Sequence, residues 1–271
     1  MYKPFLVRPK MWLYLVLLAV TIATMVMLNR CSRQAATSQF VAASGDTLNV
    51  AIEYSPLSLY MYDDTLGGFN HDLLALIQIR AARPVKMHPI VNLKQSLELL
   101  NDGTFDIVAA QLPSTTDFKN KFLFSDSIYI DRQVLVQKRD SLGNVAIRSQ
   151  LDVAGRTLYV VDGSPVVTRI RNFAREIGDT INVVTERRYG QEQLFLMVNA
   201  GEIDFAVINE KLAKTMAKRY PAIDVSTAVS FNQFQSWVLK KDNRQLADSL
   251  NRWLSDVRTT SAFKELYKRY F

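Results

Sequence analysis

From Leu48 onward the chain alternates short apolar runs with stretches in which apolar side chains return every three or four residues. A continuous apolar run of four to eight residues predicts a buried strand, and a three-to-four spacing predicts an amphipathic helix. On this rule Leu48 to Ile52 is a strand, Gly67-Gly68 a turn, and Phe69 to Arg80 a helix whose Asn70, Leu73, Leu74 and Ile77 share one face. Val85 to Ile90, Leu93 to Leu100 and Ile107 to Ala110 continue as strand, helix and strand, with Asp102-Gly103 closing the helix.

A second copy of the alternation follows. Strand Thr157 to Val161 runs into the turn Asp162-Gly163-Ser164-Pro165 and helix Val166 to Glu176, and strand Asn182 to Thr185, helix Gln191 to Ala200 and strand Phe205 to Ile208 complete it. Alternating short strands and helices predict parallel sheets flanked by helices, so two such units predict two α/β lobes. Tyr129 to Gln137 and Val225 to Trp237 read as extended and apolar. Asn243 to Val257 and Ser261 to Tyr270 carry Leu246, Leu250, Trp253, Leu254, Phe263, Leu266 and Tyr267 at helical spacing and are expected to pack back on the first lobe.

Trp12 to Leu28 is an uncharged run of about the length that spans a hydrocarbon core as a helix. Three basic side chains precede it and two arginines follow, which favours a cytoplasmic N-terminus and an exported remainder. Leu28-Asn29-Arg30 lacks the small residues of a cleavage site, so an uncleaved anchor is the expected reading. The alternative is lipidation of Cys31, the only cysteine, although Arg30 stands where a lipoprotein signal has a small residue. The expected organisation is a cytoplasmic tail and anchor over residues 1–33 and a linker over 34–46, followed by the globular part.

With 271 residues, of which 48% are hydrophobic and 22% charged, the chain supports one large or two modest cores. Its formal charge of +7 does not imply a polyanion partner. Five of the 33 basic side chains lie in the acid-free first 33 residues, leaving 28 against 26 acidic ones, a net of +2. A strongly basic face is what nucleic-acid binding requires, so no nucleic acid is expected.

Open α/β sheets bind ligands beyond the carboxyl ends of their strands. That selects Glu53 and Tyr54, Gln111 through Pro113 and Thr115 to Phe118, Gly163 with Ser164, and Asn209 with Glu210 as candidate ligand contacts. Gly163-Ser164-Pro165 combines a turn-permitting glycine, a capping serine and a proline suited to the first helical position. Free amides there fit an anionic group, and equally fit a capped helix with nothing bound. His71 and His88 lack metal-pair spacing, and nucleophile elbow, Walker loop and dinucleotide fingerprint are absent. No metal, cofactor or reaction is expected.

Five phrases recur in fixed order: Leu48-Asn-Val-Ala-Ile-Glu-Tyr-Ser-Pro, Gly68-Phe-Asn-His-Asp-Leu-Leu, Leu100-Asn-Asp-Gly-Thr-Phe-Asp-Ile-Val, Phe124-Ser-Asp and Gly201-Glu-Ile-Asp-Phe-Ala-Val-Ile-Asn. From about Thr47 to Phe271 the chain thereby resembles the family 3 extracellular solute-binding proteins. The resemblance implies a periplasmic-binding-protein-like α/β fold of two lobes, a first from 47–132 and 226–271 and a second from 133–225, joined by two hinge strands near Tyr129 to Gln137 and Val225 to Trp237; the apolar run adds one transmembrane helix before them. It also implies an extracytoplasmic binding role, with an amino acid, peptide or muropeptide as ligand.

Where that family holds a ligand carboxylate with arginine this chain has Phe118, and where it holds the ammonium with aspartate this chain has Asn209. A phenyl ring cannot form the bidentate pair a guanidinium makes, so free α-amino acids become doubtful ligands. Ser55-Pro56-Leu57 with Tyr60, and Tyr220-Pro221 through Phe231 with Trp237, are similar to the regulatory solute-binding domain of the membrane-bound lytic murein transglycosylase F branch. That likeness implies a sensing module without the catalytic half. Importer component, partnered by a permease, and scaffold for peptidoglycan hydrolases are the alternative roles.

Overall fold

The computed structural model describes residues 16–18, 20–25 and 47–271. The chain divides into a unit over 1–42, whose residues 16–18 and 20–25 are helical, and a unit over 43–271. Among the described residues no helix is long and apolar enough to cross a membrane. The expected anchor over 12–28 lies partly, and Cys31 and the linker over 34–46 lie wholly, outside the described residues.

The second unit contains two mixed sheets. The first is ordered β4-β1-β5-β13-β6, with β7 also paired to β13. Its strands are β1 (Leu48–Glu53), β4 (Val85–Ile90), β5 (Ile107–Pro113), β6 (Phe122–Phe124), β7 (Tyr129–Asp131) and β13 (Gln233–Lys240). The second is ordered β10-β9-β11-β8-β12, from β8 (Gln133–Lys138), β9 (Thr157–Val161), β10 (Asn182–Glu186), β11 (Phe205–Asn209) and β12 (Ile223–Asp224). In each sheet three strands are parallel and the fourth in order, β13 or β8, runs against them. Every residue of β5 and of β11 is buried, as parallel strands covered on both faces require.

Helices α1 (Phe69–Ala81) and α7 (Arg244–Arg258) pack on the first sheet, α8 (Ser261–Tyr270) packs on α1 and α7, and α2 (Leu93–Asn101) lies against β5. The first core joins Leu73, Leu74 and Ile77 of α1 to Leu250, Leu254 and Val257 of α7, with Leu266 of α8. In the second lobe α4 (Val166–Ile177) covers β9 and β10, α5 (Gln191–Ala200) covers β11, and α6 (Glu210–Ala217) follows β11 directly. A separate core there gathers Leu135, Leu158, Val160, Ile170, Phe173 and Val207. Two cores in one chain define two lobes.

Between the lobes the chain crosses at Arg132, which separates β7 in one sheet from β8 in the other. It returns beside this crossing, where Val229 N donates to Gln133 O at 2.9 Å and Gln133 N donates to Ser230 Oγ at 2.8 Å. Elements not predicted from periodicity are short: the hairpin β2 (Tyr60–Tyr62) to β3 (Thr65–Gly67), α3 (Thr116–Lys121), β6, the 3-10 turn Gln150–Val153, α6 and β12. The hairpin turns through Asp63 and Asp64, both at positive φ, where aspartate is among the few tolerated residues.

Gly68 has a conformational reason. Its φ is 124°, and a Cβ there would lie 2.2 Å from the Ser58 carbonyl oxygen, so any side chain would displace backbone.

Candidate functional site

The carboxyl ends of β1 and β5 in one lobe face those of β9 and β11 in the other. Between them lies a cavity of about 30 Å³ lined by Glu53, Ile90, Gln111, Gln133, Gln191 and Asn209, with Ser164 and apolar side chains completing it. That volume holds roughly two waters. None of the lining residues is basic, and Glu53 is the one ionisable side chain among them.

Side chains of the two lobes meet directly. Asn209 Nδ2 donates to the Gln111 carbonyl at 3.2 Å and to Gln111 Oε1 at 3.1 Å, while its Oδ1 accepts from Gln133 Nε2 at 2.5 Å. Asn209 N donates to Gln191 Oε1 at 2.7 Å, which orients the Gln191 amide so that Nε2 points at Glu53 Oε1, 3.4 Å away. At the rim Lys94 Nζ stands 3.4 Å from Asp162 Oδ2, and Asn92 Nδ2 donates to the Arg187 carbonyl at 2.8 Å.

Glu53 is partly exposed as a residue, yet its Oε2 is buried and has no hydrogen-bond partner. Burial pushes its carboxyl up to about 7, against the lowering effect of the Gln111 backbone N–H and the Gln191 amide, with Glu192 adding to the rise. At the crossing, burial likewise raises Asp131 to about 6, although the backbone N–H groups of Arg132 and Lys211 donate to it. Burial also holds the Tyr129 phenol well above its ordinary value.

Among the residues proposed from sequence, Glu53, Gln111, Ser164 and Asn209 line the cavity. Ser164 Oγ accepts from Val166 N at 3.2 Å, so it caps α4. Gly163, at φ 78°, abuts the first turn of α2, and a Cβ there would be 2.9 Å from Lys94 Cβ and 3.0 Å from its Cα. The others do not line the cavity. Tyr54 is 43% exposed; Pro113 ends β5 opposite Gln235; Thr115 precedes α3; Phe118 packs on Phe122 with ring centroids 5.8 Å apart. Glu210 is held by Arg132 at 2.8 Å and Lys214 at 2.9 Å.

Sequence reasoning missed Gln133 and Gln191. Gln133 had a signal, since a glutamine opening the apolar strand Gln-Val-Leu-Val must satisfy its amide once buried. Gln191 had none, because a polar residue in the first turn of a helix looks solvated. Among the described residues no cluster of His, Cys, Asp and Glu could hold a metal ion.

Two α/β lobes with a cleft at the strand ends define a two-lobed binding protein fold. The chain belongs to the bacterial extracellular solute-binding proteins, family 3, which it matches over residues 47–271. It is 24% identical over 229 residues to a membrane-bound lytic murein transglycosylase F of Desulfosudis oleivorans, covering 82% of this chain and 48% of that relative. It is 27% identical over 177 residues to the L-cystine-binding protein TcyA of Bacillus subtilis, covering 64% of this chain and 60% of the relative. The chain spans about half the length of the transglycosylases it matches. In fold it is similar to an ancestral arginine-binding protein bound to arginine, with a TM-score of 0.72 at 22% identity over 83% of this chain and 98% of that one.

Proposed function

We propose that this chain is a membrane-anchored extracytoplasmic sensing protein that closes its lobes, 47–132 with 226–271 and 133–225, over a small solute. The observation that carries this reading is the shared lining: Glu53 and Gln111 from one lobe meet Gln191, Asn209 and Ser164 from the other in a single cavity. A lining without a basic side chain has no guanidinium to clamp a carboxylate. It favours an amide-bearing ligand, such as a cell-wall peptide or amino-acid derivative, over a free amino acid. The apolar run at 12–28 supports the anchor, and the likeness to transglycosylase F supports a periplasmic location beside peptidoglycan enzymes. Binding and closure account for the cleft's chemistry, and no reaction is assigned to it.

The test is a thermal-shift screen of the full chain with amino acids, short peptides and muropeptides. A bound solute at a hundred times its Kd stabilises the fold by about 2.7 kcal/mol, and Ser164→Ala or Asn209→Ala is expected to weaken the response. Stabilisation by free amino acids alone favours an importer component. A second reading, a scaffold whose cleft binds nothing, is favoured by the small cavity volume, and silence across the screen would move weight to it.

A further inference from the structure

We infer that the cleft is a proton-controlled latch, in which hydrogen bonds between the protein's own side chains hold the lobes shut around a protonated Glu53 and ionisation of Glu53 releases them. The inference rests on the solute-binding reading of the cleft and adds its regulation.

The latch is a ring that crosses the cleft twice. Glu53 Oε1 accepts from Gln191, Gln191 Oε1 accepts from Asn209 N, and Asn209 Nδ2 donates to Gln111, whose backbone N–H returns to Glu53. Each amide in the ring has its orientation set by a neighbour: Gln191 must accept from Asn209 N, and Asn209 must accept from Gln133 Nε2. Asn209 is therefore saturated by protein. Only Glu53 is left incomplete, with Oε2 buried and unpartnered.

Protonated, Glu53 costs the closed cleft one unpaired polar atom. Ionised, it places a charge between the lobes with no cation against it, a far larger desolvation cost that opening removes by admitting water. The titratable groups facing Glu53 are Glu192 on α5 and the Tyr129 phenol on β7, and neither supplies a positive charge. The cations at the rim, Lys94 and Arg187, are directed at Asp162. Asp131 at the crossing titrates in a neighbouring range and must be separated from Glu53 experimentally.

Because the closed state holds the proton more tightly than the open one, closure is favoured at low pH and lost as pH rises. The separation between about 7 and the ordinary 4.5 corresponds to a loss of up to roughly 300-fold in the closed-to-open ratio, tenfold per pH unit across that interval.

Paired spin labels at Glu98 on α2 and Arg171 on α4, both exposed, report the lobe separation in the full chain with Cys31→Ser. The expected result is one short distance near pH 4.5 and a growing long-distance population up to pH 7. Glu53→Gln should keep the short distance throughout, Asn209→Ala should lose it even at low pH, and Asp131→Asn should leave the wild-type pH response in place. Distances that ignore pH, or a Glu53→Gln variant that opens like the wild type, would overturn the latch. Adding solutes to the same labelled protein separates the two ideas. Solute-driven closure without a pH response removes the latch and keeps the solute reading, and the opposite pattern keeps the latch and removes that reading.

Discussion

Asn209, at the end of β11 in the second lobe, donates through one amide nitrogen to both the carbonyl and the side-chain oxygen of Gln111 in the first. Both residues are buried. The pair joins the lobes at the point where the strand ends converge, and truncating it leaves the Gln133 and Gln111 amides without partners. Asn209→Ala is expected to lower unfolding stability by about 1–3 kcal/mol, the cost of stranding buried polar groups. Urea denaturation of the full chain checks this, and an unchanged midpoint would mean the cross-lobe contact contributes nothing.

Stability should fall as pH rises through the mildly acidic range. Glu53, at about 7, and Asp131, at about 6, both hold protons in the folded protein above their unfolded values, so the folded state binds more protons than the unfolded one. Their contributions are fully present below the ordinary carboxyl range and are lost as pH climbs to the folded values. For Glu53 the change is at most on the order of 3 kcal/mol. Denaturation midpoints at pH 5 and pH 8 should differ in the wild type and differ less in Glu53→Gln.

Two glycines should separate by mechanism. Gly68→Ala drives a Cβ to 2.2 Å from a backbone oxygen of its own lobe, whereas Gly163→Ala meets Lys94 of the opposite lobe at 2.9 Å from Cβ and 3.0 Å from Cα, both at positive φ. Melting temperatures should fall for both variants and further for Gly68→Ala, since that clash lies within one packed lobe, whereas the Gly163 clash is relieved when the lobes part. Gly163→Ala should in addition widen the lobe separation.

A buried polar chain anchors the first lobe. Trp237 Nε1 donates to Asn70 Oδ1 at 3.2 Å, and Asn70 Nδ2 donates to Ser58 Oγ at 2.7 Å. Replacing Asn70 with leucine strands both partners and should cost about 1–3 kcal/mol. Trp237→Phe in that background should add less than it does alone, because residues in one network couple. Additive losses in this double-mutant cycle would show that the chain is not cooperative.

Strands such as Leu48–Glu53 and Phe205–Asn209 were legible because burial on both faces makes them continuously apolar. The long helices were legible from apolar spacing, and the family from five phrases in order. Short elements escaped because α3, at six residues, presents no period. In the candidate site, Glu53, Gln111, Ser164 and Asn209 followed from their places after strands. Gln191 did not, since only closure of the lobes brings it to Glu53. Thr115 and Phe118 were selected by the same strand-end rule, and here that segment packs on β6 instead of lining the cavity.

The central claim is that one solute is held by both lobes. Native mass spectrometry of the full chain after exposure to a peptidoglycan digest, and separately to mixed amino acids, tests it most directly. The predicted result is a single added mass from the digest that disappears in Asn209→Ala; an unliganded protein from both mixtures, or an adduct indifferent to that substitution, would contradict it.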